Sequence, residues 1–97
     1  MRGSVSVTGG TATVHVLEAE VRGNISFVSN HVSVSTEVSS AIVQGNVTVA
    51  GNTAPFNIVK NNNISGNLDC TSNSPVVTNS GLANTVGGAK TGECALL

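Results

Sequence analysis

The chain has 97 residues, enough for one domain with a thin core, and a net charge of −1. Hydrophobic residues make up 39%, aromatic residues 2% and charged residues 9%, the last far below the ~25% typical of soluble domains. Nucleic-acid binding is excluded on these grounds, since it needs a basic stripe and stacking aromatics, and Arg2, Arg22, Lys60 and Lys90 are few and scattered. No stretch has the length of a membrane-spanning helix and no basic amphipathic helix offers an anchor, so membrane insertion is not expected.

The first element is the alternating run Val5-Ser6-Val7, two residues after Gly3. It returns as Ile25-Ser26-Phe27 after Gly23, Val47-Thr48-Val49 after Gly45 and Leu68-Asp69-Cys70 after Gly66, with Gly88 opening a fifth copy. The glycines are 20, 22, 21 and 22 residues apart. Alternation of apolar and small polar residues is the period-2 signature of a strand with one face buried. A second run lies eleven to thirteen residues after each glycine, counted as Val14, Val34, Phe56 and Val77 and then Val16, Thr36, Ile58 and Asn79. A third precedes the next glycine, with Val21, Val43, Ile64 and Val86 in equivalent places.

Three short strands per repeat of about 21 residues, joined by Asn, Gly and Ser corners, predict an all-β, right-handed parallel β-helix spanning residues 1–97 as a single domain. Four coils at a strand spacing of about 4.8 Å give a solenoid roughly 20 Å long. Helix is disfavoured by the Val, Ser, Thr, Asn and Gly content. The one stretch of helical flavour, Leu17-Glu18-Ala19-Glu20, is too short to stand alone and is expected to be a bulged corner.

Asn24, Asn46 and Asn67 follow their glycines directly, with Ser4 as the first-coil equivalent. They predict a stacked polar corner rather than a ligand site. The run Asn61-Asn62-Asn63 also falls at a corner and belongs to the fold, so there is no internal linker. Lys90 stands where earlier coils have Val5, Ile25, Val47 and Leu68. An unpaired ammonium inside a coil is costly, so the solenoid is expected to end there, with Lys90 turned to water and residues 89–97 forming a C-terminal cap. No apolar leader precedes the first repeat, and nothing polar caps it. The N-terminal coil is therefore expected to be an open edge, in a truncated chain or one that self-associates there.

Cys70 and Cys94 are the only cysteines. They fall close to equivalent places on neighbouring coils, which predicts a disulfide across one coil in preference to two buried thiols. A zinc site needs more ligands than these, and no metal or cofactor is expected. His15 and His31 occupy different repeat positions, and no carboxylate is expected in register with either. Glu18, Glu20, Glu37, Asp69 and Glu93 are also scattered, without the convergence on one sheet that carbohydrate-cleaving β-helices require. No nucleophile elbow or phosphate loop appears, and no catalytic residues are assigned: the expectation is not an enzyme. Asn24, Asn46 and Asn63 match the glycosylation pattern only as by-products of the repeat. The outward row Ser6, Ser26, Thr48 and Asp69 is too mixed for an ice-binding rank of threonines.

The run Asn63-Ile-Ser-Gly-Asn-Leu-Asp-Cys, then Asn84-Thr-Val-Gly-Gly and Gly92-Glu-Cys, resembles the ending of small exported repeat proteins of actinobacteria. Those carry Gly-Asn-Val-x-Val repeats and finish in a Gly-Asn-Leu-x-Cys, Asn-Thr-Val-x-Gly-Asn and Gly-x-Cys series. The likeness is good over residues 43–97, and rests on the repeat period alone before that; Ala89 stands where the family has Asn. It implies an exported β-helix with a terminal disulfide and no assigned activity. The repeat is similar, more loosely, to bactofilins, cytoskeletal β-helices that polymerise end to end. The expected function is thus a non-catalytic, exported structural or binding module, extracellular or at the cell surface, with a cell-envelope polysaccharide as a candidate partner. A self-assembling scaffold is the alternative, and a carbohydrate-binding or carbohydrate-active β-helix the third reading.

Overall fold

The computed structural model describes residues 3–11 and 14–97. The open edge expected at Met1, and Arg2, lie outside the described residues. Twelve strands and no helix occur among those described, and every strand pairing is parallel. They form a β-solenoid of about four coils. The first sheet stacks β1 (Val5–Thr8), β4 (Ile25–Val28), β7 (Val47–Ala50), β10 (Leu68–Thr71) and β12 (Lys90–Gly92). The second stacks β2 (Val14–Leu17), β5 (Ser35–Ser39) and β8 (Phe56–Lys60), and the fourth coil adds a single bridge, Ile58 to Thr78. The third stacks β3 (Glu20–Val21), β6 (Ile42–Val43), β9 (Asn63–Ile64) and β11 (Thr85–Val86).

The first and third sheets keep the register that the glycine period implies. Val5, Ile25, Val47 and Leu68 pair in one inward row, and Val7, Phe27, Val49 and Cys70 in the next. From the second coil to the fourth these side chains are buried. Val21, Val43 and Ile64 close the core from the third sheet. The repeat glycine is required by close approach between coils. A Cβ on Gly66 would lie 2.6 Å from the carbonyl oxygen of Gly45 and against the side-chain oxygen of Asn46, and Gly45 and Gly88 are crowded in the same way. Glu18, at φ 52°, makes the expected corner between β2 and β3, and Ser40 and Asn61 repeat it one and two coils on at φ 53°.

The second sheet departs from the counted register. Val14 pairs with Thr36, Thr36 with Asn57, and Val16 with Val38, then Val59. Thr36 and Asn57 therefore take the inward places assigned to Val34 and Phe56, which are both exposed. The cause is the connection from the first sheet, which differs in length by up to two residues from coil to coil. An offset counted from the glycine slips there: by one residue in the third coil, which turns Phe56 to the opposite face, and by two in the second, which leaves Val34 ahead of β5. Lys90 is a second departure. It pairs with Leu68, so the first sheet continues through β12, and the lysine is half-buried rather than turned wholly to water. The chain leaves the coil two residues later, at Gly92, whose φ of 64° and approach to the Cys70 carbonyl both exclude a side chain.

Candidate functional site

After Gly92 the segment Glu93–Leu97 folds across the end of the fourth coil. Cys94 pairs with Cys70, their Cα atoms 5.3 Å apart, and both residues are 0% exposed. A buried disulfide of this kind belongs to an oxidising, non-cytoplasmic environment.

Beneath this cap run two rows of buried carboxamides. In the first, Asn30 Nδ2 donates to Asn52 Oδ1 (2.8 Å) and Asn52 Nδ2 to Asn73 Oδ1 (2.9 Å). Each of the three also donates to a backbone oxygen of the coil before it: Val7, Phe27 and Val49. The row ends on the carboxylate of Glu93, which accepts from the Asn73 backbone N–H (2.8 Å), Asn73 Nδ2 (3.1 Å) and the Val77 N–H (3.2 Å). In the second row Asn62 donates to Asn84 Oδ1, and Asn84 passes its backbone N–H (2.8 Å) and Nδ2–H (3.1 Å) to the Leu97 carbonyl. Asn79 Nδ2 reaches the same oxygen at 3.3 Å. The cap thus supplies at the fourth coil the oxygens that each coil supplies to the one before. No side-chain nitrogen or oxygen buried among the described residues lacks a partner. These rows were missed by sequence reasoning, although Asn30, Asn52 and Asn73, spaced 22 and 21 residues, carry the same period as the glycines.

The row expected at the glycine corner is present on the surface. Ser4, Asn24, Asn46 and Asn67 each accept, through the side-chain oxygen, the backbone N–H of the following position, ending at Ala89. On the outer face of the first sheet Asp69 accepts a hydrogen bond from Thr91 at 3.0 Å.

The outer face of the second sheet gathers most of the side-chain chemistry. His15 Nε2 and Ser35 Oγ are 2.6 Å apart. Glu37 pairs in register with His15, against the expectation that no carboxylate would, and the slipped register is again the reason. Lys60, on the next coil, lies 3.9 Å from Glu37. Phe56, which follows Ser35 in its row, is 63% exposed, and Val34, Val76 and Leu17 are exposed as well. This face is flat, and no cavity opens among the described residues. His31 is exposed at a separate bridge to Thr53, and Glu18 and Glu20 lie at the corner and edge of the third sheet. Among the described residues no three of His, Cys, Asp and Glu come together as a metal-ligand group. Family models, characterised proteins and solved structures yield no match to the chain.

Proposed function

We propose that the chain is a non-catalytic, exported module of the cell surface, a rigid β-solenoid that presents flat faces for binding or spacing. The observation that carries this reading is the capped end, where a fully buried disulfide holds the segment that satisfies both carboxamide rows. Such a clamp suits a small chain with a thin core outside the reducing cytoplasm.

The alternative, a scaffold polymerising end to end, is less well supported by the same geometry. The first-coil equivalents of Asn30 and Asn62 are Gly10 and Ala19, which have no side-chain oxygen. A second copy stacked on the fourth coil would leave Asn73 and Asn84 without the acceptors that Glu93 and Leu97 provide. Buried amides without partners are costly. For a ligand we put forward a neutral cell-envelope polysaccharide on the outer face of the second sheet. Phe56 offers an apolar plate to the C–H face of a sugar ring, and His15, Glu37 and Lys60 offer hydrogen bonds beside it.

Intact mass and light scattering of unreduced native protein test the reading. A disulfide-bonded monomer is expected. Two freely alkylatable thiols, or filaments in reducing buffer, would favour the scaffold instead.

A further inference from the structure

We infer that the end of the fourth coil is a peptide-binding site, occupied in cis by Glu93–Leu97 and kept closed by the Cys70–Cys94 disulfide. The inference rests on the donor geometry of the capped end and stands apart from the reading of the second sheet. Two sets of N–H donors converge there. Asn73, through its backbone and side chain, and Val77 hold a carboxylate. Asn84, again through backbone and side chain, and Asn79 hold a backbone carbonyl four residues further along the chain. The Glu93 N–H completes the recognition by donating to the Cys70 carbonyl at 2.7 Å.

At every earlier boundary the acceptor is a neutral amide of the next coil; here alone among the described rows it is a carboxylate. The partner that fits in trans is therefore an acidic peptide able to adopt the same turns, with Glu followed by small and apolar residues, offering the same oxygens at the same separation. A second copy's first coil does not fit, because Gly10 and Ala19 bring no acceptor side chain.

Opening the site is a two-electron reduction. A thiolate of a dithiol reagent attacks one sulfur of the bridge, forming a mixed disulfide and releasing the other cysteine as thiolate. The reagent's second thiol then displaces the remaining cysteine, and the reagent leaves as its own disulfide, its two protons going to the two cysteine thiolates. Neither cysteine has exposed surface, so attack follows lifting of the segment. A Glu93→Ala chain should accordingly be reduced about tenfold faster than the natural one, an opening effect of the size that a lost charge-assisted hydrogen bond produces. Equal reduction rates would overturn that order of events.

Amide hydrogen exchange on the full chain tests the site directly. On reduction, the amides of Asn73, Val77 and Asn84 should exchange about tenfold faster or more, while those of Val43 and Val47 keep their rates. A Cys94→Ser chain should show the same pattern without reductant. Unchanged rates in both would overturn the lock. The peptide acetyl-Gly-Glu-Ser-Ala-Leu-Leu-amide, added to the Cys94→Ser chain at about 20 mM, well above the concentration at which a short tether presents the same segment in cis, should restore slow exchange at those three amides. A peptide with Lys in place of Glu should not. An open end that ignores the first peptide, or accepts both alike, would overturn the binding site.

Discussion

The hydroxyl of Thr36 donates to Asn57 Oδ1 at 2.6 Å, on the buried face of the second sheet, and Asn57 Nδ2 continues to the Pro75 carbonyl at 2.8 Å. Both residues are 1% exposed. They occupy places where the first and fourth coils have Val14 and Val77, so this inward row carries two polar rungs between two apolar ones.

Removing one partner of that pair is expected to cost more than removing both. Asn57→Ala should destabilise the chain by about 1–3 kcal/mol, because the Thr36 hydroxyl and the Pro75 carbonyl lose a buried partner. Thr36→Val combined with Asn57→Val, which restores the residue type of the outer coils, should cost less than Asn57→Ala. Chemical denaturation midpoints of the two variants decide it; a double variant that costs as much as Asn57→Ala, or more, would mean the pair is not coupled.

Core polarity has a sharper limit on the first sheet. Val47→Asp should unfold the protein, since a carboxylate there has no partner and the total stability of such a domain is only about 5–15 kcal/mol. Ser6→Asp, on the outer face of the same sheet, should melt within a few degrees of the natural chain. Equal tolerance of both would reverse the inward and outward assignment of these rows.

The repeat glycines separate in the same manner. Gly66→Ala should lose about 1–3 kcal/mol, because its Cβ meets the Gly45 carbonyl at 2.6 Å and backbone cannot move aside without breaking a coil-to-coil hydrogen bond. Gly3→Ala should be close to neutral, having nothing within 4 Å. Thermal melts of the two single variants are sufficient.

The disulfide closes a segment of 24 residues. Its loss in Cys94→Ser is expected to cost about 3 kcal/mol by the chain-entropy relation. Trypsin or thermolysin should then cut first beyond Asn73. Cleavage that begins in the second coil would place the weak point elsewhere.

Phe56→Ser tests the proposed polysaccharide surface without touching the core. The side chain is largely exposed, so the melting temperature should be unchanged within about 2 °C, a shift well under 1 kcal/mol for a domain of this size. Retention on insoluble cell-envelope polysaccharide should fall about tenfold. Unaltered retention would remove this face from consideration.

Much of the solenoid was legible before any coordinates. The glycine period, the inward rows of the first and third sheets, the corner at Glu18 and the Cys70–Cys94 pair all follow from features that recur at a constant spacing or sit near equivalent places. The candidate site was less legible. Phe56 and Val34 read as core because they were counted from the glycine, and His15 and Glu37 read as unrelated for the same reason. The carboxamide rows carried a visible period, yet a buried Asn is recognised only when the oxygen that receives its amide is known.

The amino-acid sequence by itself determined that the chain stacks in coils, because alternation and a strict glycine corner are local requirements that each repeat satisfies alone. Tertiary structure decided where the second sheet lies in register, since connections of unequal length leave that choice to hydrogen bonds between coils. It also decided how the stack ends. Lys90 fits a last rung that the residue type argued against, and Glu93 and Leu97 become acceptors only once the chain has folded back over Asn73 and Asn84.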